Sequence, residues 1–454
     1  MLTMTSYKPL LALCIGYFMV MLDIMAVNVA IPDMASSMHI SLANLAWIVD
    51  AYTLTFASLL LSMGNISDRY GAKKVFQTRL FIFVLASFLC GIANNYQLLI
   101  FYRLLQGASA ALLVPSSLSL VNSSYSDKAE TAKAIGIWAT LAGIAAASGP
   151  VIGAVLTSWF NWRAIFFINI PFGIIGLLLT KKWVKTPKNK NINHGFDFLG
   201  QVTGILTIAI LAYGLIEVGS HGWVSPVVLT SSIVFVLSFI LFVSIEWIVP
   251  QPMLPLNLFR SPDFSKSIIA CCLFNLVFYG ELFLLPMYFH HSRSYSILLS
   301  GLAVLPQMIL ASLGSYLSGR TINKFGTKHI MIAGVSLGVV GFVSLFFAIK
   351  YSYDYIFFVL PLLLISAGAS YTMPAATVAV IRSVVEEQTG IASGVFTACR
   401  QIGSLIGVAL FGTLLSIAAS FDLGVQHAVL CASLLCACAL LTVVLPVKGF
   451  KRQH

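Results

Sequence analysis

Fourteen apolar runs, each long enough to cross a bilayer, fill most of this chain. Inside oil every backbone N–H and C=O must find a partner within the protein, so a spanning segment is either a helix or a strand of a closed barrel. Runs of roughly 17–25 residues fit helices. They fall at about 10–31, 45–64, 75–93, 97–121, 134–157, 164–180, 198–217, 226–249, 267–289, 297–318, 329–349, 355–380, 391–417 and 427–446. Charged residues make up only 9% of the 454, whereas soluble domains carry about a quarter. The expected class is an all-α polytopic membrane protein.

The net charge of +11 would suit a nucleic-acid partner if it were gathered on one face. It is gathered instead in alternate loops and ends, among them Lys8, Lys73, Lys74, Lys128, Lys133, Lys181, Lys182, Lys185, Arg260, Lys266, Lys328, Arg382 and Lys448. Basic loops stay on the cytoplasmic side. That rule places both termini in the cytoplasm, requires an even number of spans, and points to the cytoplasmic (inner) membrane rather than to nucleic acid. The first span reads as retained rather than as a cleavable signal, because it carries Asp23 and Asn28 and runs into Ile31-Pro32 without a small-residue cleavage site. The eight cysteines all lie in apolar runs without metal-ligand spacing and read as small hydrophobes. No metal, no cofactor and no nucleophile–base constellation is expected, so the chain does not read as an enzyme.

Residues 64–74, GNISDRYGAKK, are echoed at 319–328 by GRTINKFGTK. Aligning Tyr70-Gly71 with Phe325-Gly326 makes spans 1–6 and 9–14 two copies of one plan. Spans 7 and 8 are then an inserted pair behind the long polar stretch 181–197. The resulting division is 1–181 for the first six-helix bundle, 182–263 for the connector and inserted helices, and 264–454 for the second bundle.

Motifs in order along the chain carry a resemblance. They are DIMAVNVAIP from Asp23, WIVDAY from Trp47, GNISDRYGAKK, Arg103-Leu-Leu-Gln106-Gly107, Gly149-Pro150-Val-Ile-Gly153, and Trp162-Arg163 with Ile168-Asn169-Ile170-Pro171. Together they resemble the 14-span drug:proton antiporters of the major facilitator superfamily over nearly the whole length. Two departures stand out: Ala154 replaces a second glycine of the family's antiporter motif, and span 13 carries no carboxylate.

Charged groups within a bilayer are costly and face an interior path. Asp23, Arg103 and Glu281 each sit roughly 10–12 Å below the outer surface at 1.5 Å per residue, so one layer can hold all three. A carboxyl group in oil favours its protonated form and a guanidinium beside it favours the ionised one. Proton coupling at Asp23, Arg103 and Glu281 is therefore expected, against the alternative of a static Asp23–Arg103 pair that only orders helices. Glu281, Arg400 and Gln401 are the candidates along a substrate path, with Glu281 suited either to a cationic cargo or to a second proton. Asp50, nearer a span end, reads as hydrated or capping, and Glu217 and Glu246 as interfacial.

The resemblance implies a cytoplasmic gate at Gly64, Asp68, Arg69, Gly71 and Lys73, with Asp68 pairing across to another helix. It also implies an antiporter hinge at Gly149, Pro150 and Gly153. A near match to a phosphate-binding loop at 314–321 lacks its lysine and ends a membrane helix, so ATP is not the expected energy source. The expected activity is proton-coupled efflux of amphipathic, often cationic compounds by alternating access, with protons, a small-molecule substrate and lipids as partners and a periplasmic adaptor left open. A dedicated exporter of one metabolite, such as a lipid precursor, siderophore or amino-acid derivative, is the alternative.

Overall fold

The structure, a computed structural model, describes residues 4–60, 71–125, 127–185, 197–250, 252–385 and 388–445. Regular structure among them is helical. The first helices are α1 (Met4–Met38), α2 (Leu42–Leu60), α3 (Ala72–Gly91), α4 (Tyr96–Ser124) and α5 (Lys128–Trp159). Then come α6 (Arg163–Phe167), α7 (Asn169–Trp183), α8 (Phe198–His221), α9 (Pro226–Ile248), α10 (Pro262–His291), α11 (Ile297–Ala303) and α12 (Leu305–Phe325). The chain continues through α13 (Thr327–Lys350), α14 (Ile356–Arg382), α15 (Thr389–Ile417) and α16 (Phe421–Val444).

Thirteen helical stretches are long and apolar enough to span a membrane, and the shorter apolar helix Asn44–Leu60 supplies the fourteenth expected crossing. The all-α polytopic fold expected from hydropathy is thus present. Spans 6 and 10 are each broken once, at Ile168 and Val304. In both cases a proline, Pro171 or Pro306, lies in the first turn of the following helix. Proline tolerates that position because its missing N–H has no intrahelical partner there, while it disfavours helical backbone just before it. Asn95, Asp127, Ser225, Ser296 and Ser420 each accept a backbone N–H three residues on and so start their helices with a side-chain cap.

The internal repeat survives in backbone geometry. Gly71 has φ 86° and Gly326 has φ 80°, and each is the residue from which the next helix, α3 or α13, departs. Only glycine enters that region without strain, which is why both copies keep it.

The chain forms two compact units, Met1–Ile205 with Leu285–Leu305, and Leu206–Leu284 with Pro306–His454. In the first, α1 packs along α5 and α3 along α4, around Leu13, Val20, Phe76, Phe83, Leu113 and Leu120. In the second, α13 packs tightly on α14 and α16. There α8 is pinned to α15 by Thr413 Oγ1 donating to Leu215 O at 2.5 Å and Ser416 Oγ to Gly219 O at 2.6 Å.

Candidate functional site

The first unit holds a buried polar lattice around Asp23. Arg103 Nη1 donates to Asp23 Oδ2 at 2.5 Å and to Gln106 Oε1 at 2.8 Å, and its Nε donates to Ile48 O at 3.0 Å. Gln106 Nε2 reaches Asp23 Oδ1 at 3.0 Å and Ser87 Oγ at 2.7 Å. Asn169 Nδ2 donates to the same two acceptors at 3.1 Å each. The guanidinium also lies 4.5 Å from the Tyr52 ring centroid, a cation–π contact. Five helices, α1, α2, α3, α4 and α7, thus contribute to one lattice, at whose centre the Asp23 carboxylate accepts from an arginine and two amides. Asp23 and Arg103 were expected together; Gln106, Asn169 and Ser87 were not assigned a role. Two of the three lie inside motifs quoted above, where a polar side chain within an apolar run was the available signal.

Two other carboxyl groups have the opposite environment. Asp50, mid-way along α2, is 0% exposed, and neither of its oxygens has a hydrogen-bond partner among the described residues. The expectation that it is hydrated or capping is corrected: distance from a helix end does not say which way the side chain points. Glu281 on α10 is also 0% exposed. Its Oε2 accepts from Gln307 Nε2 of α12 at 2.7 Å, while Oε1 has no partner among the described residues. Glu246, expected at an interface, is buried and accepts the Leu254 N–H at 2.8 Å, which closes the turn after α9. Glu217 pairs with His221 at 2.9 Å.

The Gly149, Pro150 and Gly153 segment of α5 lies against α1 two to three residues beyond Asp23. A Cβ on Gly149 would overlap Met25 Cβ, and one on Gly153 would stand 2.6 Å from Ala26 O. The same segment meets α11: a Cβ on Gly301 would stand 2.6 Å from Ala154 Cβ and 2.9 Å from Pro150 O. The alanine that departs from the family motif is thus accommodated by a glycine opposite it.

Of the gate residues, Gly64, Asp68 and Arg69 lie outside the described residues. Gly71 turns the chain as above, and Lys73 Nζ donates to Lys181 O at 3.4 Å, at the end of α7 where a cation opposes the negative helix terminus.

In the second unit Arg400, on α15, is partly exposed, and its Nη2 contacts Met373 Sδ at 3.7 Å. Gln401 is half-buried. Arg400 forms no ion pair with Glu281, since the ion pairs among the described residues are Asp23–Arg103 and Glu217–His221.

Many apolar helices with charged and polar groups buried mid-span in both units define a multi-pass membrane protein of the transporter kind. A model of the Major Facilitator Superfamily matches residues 13–408, and the chain belongs to that superfamily. It is 34% identical to the methylenomycin A resistance protein of Bacillus subtilis (strain 168), covering 94% of this chain and 91% of that one. It is 32% identical to the multidrug resistance protein Stp of Mycobacterium tuberculosis (strain CDC 1551 / Oshkosh), covering 91% and 76%. The riboflavin transporter RibZ of Clostridioides difficile (strain 630) is 28% identical, covering 89% and 87%. Among solved structures, that of the nucleoside transporter NupG superposes with a TM-score of 0.69 at 12% identity, covering 96% of this chain and 98% of that chain; this likeness concerns fold alone.

Proposed function

We propose that the protein exports amphipathic small molecules across the cytoplasmic membrane, driven by protons, through alternating access of two six-helix bundles, 1–181 and 264–454. Residues 182–263 form the connector and an added pair of helices. The low burial of α9 supports placing that helix at the lipid-facing margin. Both termini face the cytoplasm, which the basic loops support.

The observation that carries the reading is a contrast within one conformation. Asp23 is compensated by Arg103, Gln106 and Asn169, whereas Glu281 and Asp50 are enclosed with no ion-pair partner among the described residues. An isolated carboxylate in oil is far costlier than the neutral acid. Glu281 and Asp50 are thus the groups that carry the proton, and Asp23 is the carboxyl group whose grip by Arg103 changes as the protein rocks. Carboxyl groups driven apart by environment are the ordinary means of moving a proton. Rocking that loosens Arg103 and opens Glu281 to water exchanges the two conditions. The Gly149-Pro150-Gly153 segment, pressed on α1 beside Asp23, serves as the hinge, and Gly71 and Lys73 belong to a gate with Gly64, Asp68 and Arg69. The driving force suffices: one charge crossing 100 mV yields about 2.3 kcal/mol, and a tenfold gradient requires about 1.4 kcal/mol.

The resistance-protein relatives support broad efflux, while the riboflavin transporter among them supports the second reading, a dedicated exporter of one metabolite. The experiment is substrate-evoked collapse of a pH gradient in inverted vesicles. Glu281→Gln is expected to abolish it with substrate binding retained, and Asp23→Asn to weaken it. Wild-type proton release from both variants would overturn these site roles.

A further inference from the structure

Glu281 is fully buried, whereas Arg400 is only partly so. The accessible charged group of α15 is thus positive, whereas the acid that would attract a cationic cargo is enclosed. Arg400 is the twelfth residue of α15, about 16 Å in from Thr389 at 1.5 Å per residue. An uncompensated guanidinium at that depth is costly, and no described carboxylate lies within 4.0 Å of it.

The placement of the donors is specific. Arg400 Nε is buried with no acceptor among the described residues, and Nη2, on the same edge of the guanidinium, has only the thioether of Met373 at 3.7 Å. That edge presents two parallel N–H groups, the fork that takes a carboxylate or similar oxyanion in a bidentate grip. A thioether is a weak acceptor on an adaptable side chain, so it covers the fork without committing it. Phe396 lies 5.9 Å from the guanidinium. α15 is held against α10 by glycine: a Cβ on Gly403 would overlap Cys272 O and one on Gly407 would overlap Leu276 O. A cationic fork between aromatic and thioether walls suits a ligand with an anionic head and an apolar body.

We infer that Arg400 binds the cargo's oxyanion head group through its Nε–Nη2 edge, so that the compounds exported are amphipathic anions. Met373 swings aside as they bind. The inference rests on the export reading above and fixes the charge of the cargo within it.

The test uses the full chain in liposomes, in the inverted orientation with an acidic lumen. Uptake is compared for naphthalene-1-sulfonate, which cannot leak as a neutral acid, for the neutral naphthalene-1-sulfonamide, and for ethidium. Wild type is expected to move the sulfonate at least tenfold faster than the sulfonamide. Arg400→Gln is expected to lose that preference, and Arg400→Lys, which keeps the charge but not the fork, to fall between them. Equal sulfonate uptake by wild type and Arg400→Gln overturns the inference, as does sulfonate uptake no faster than in empty liposomes while ethidium or the sulfonamide is carried; export itself then stands. If none of the three exceeds empty liposomes, the export reading falls and the inference with it. Thermal stability of both variants within a few degrees of wild type excludes misfolding as the cause.

Discussion

Asp23 and Asp50 are both buried aspartates in the first unit, and their surroundings make opposite demands on substitution. Asp23 neutralises Arg103 and accepts from two amides. Asp23→Ala leaves a buried guanidinium unmatched and is expected to destabilise the protein by about 3–5 kcal/mol, measured as a loss of thermal stability in detergent. Asp50 has no such partners, so Asp50→Asn, which matches the shape of the neutral acid, is expected to change stability by less than about 1 kcal/mol while reducing substrate-evoked proton release. A large loss of stability in Asp50→Asn would mean that the group is ionised and paired. Residue roles were only partly legible in the sequence. The Asp23–Arg103 meeting followed from depth, because both lie at one level of the bilayer. Depth alone could not show that Asp50 points inward, nor that Asn169, at the break between α6 and α7, reaches Asp23. Those depend on helix rotation, which a run of uniformly apolar neighbours does not encode.

At the scale of the helix, the glycines of α5 differ in what a side chain would meet. Gly136 and Gly143 have open space where a Cβ would go, whereas Gly149 and Gly153 lie on the backbone of α1. Gly136→Ala is expected to leave transport unchanged. Gly149→Ala is expected to slow it several-fold and to cost about 1–3 kcal/mol through overpacking, read from transport rates and thermal unfolding of the two variants side by side. The contact of α5 with α11 makes a sharper test. Gly301→Ala sets a new methyl against Ala154 and is expected to impair transport, and Ala154→Gly in that background is expected to restore part of it. An additive pair of losses would show that the two residues do not share the contact. The sequence displayed all four α5 glycines equally; which of them touch a neighbour depends on the face that α5 turns to α1. Ala154 read as a departure from its motif because the compensating Gly301 lies nearly 150 residues away.

Across the whole molecule, the sequence was most informative where bilayer physics leaves least choice. Helix count, helix class and the doubled turn at Gly71 and Gly326 follow from apolar run length and from glycine's access to positive φ. The cargo charge inferred above was not legible in the sequence, because Glu281 and Arg400 are equally visible as letters and differ in burial. The orientation drawn from the basic loops has its own check. Single cysteines placed at Lys8 and Lys182 are expected to be shielded from a membrane-impermeant thiol reagent in intact cells and labelled after permeabilisation.

The central claim is that ionisation of enclosed carboxyl groups is tied to the direction in which the cargo path opens. The most direct measurement is cargo flux in sealed liposomes of purified protein, with the proton gradient imposed and then dissipated by a protonophore. The account requires accumulation against a cargo gradient while the proton gradient lasts and its loss on dissipation, with Glu281→Gln showing no accumulation under either condition. Undiminished uphill transport with no proton gradient and no membrane potential would contradict it.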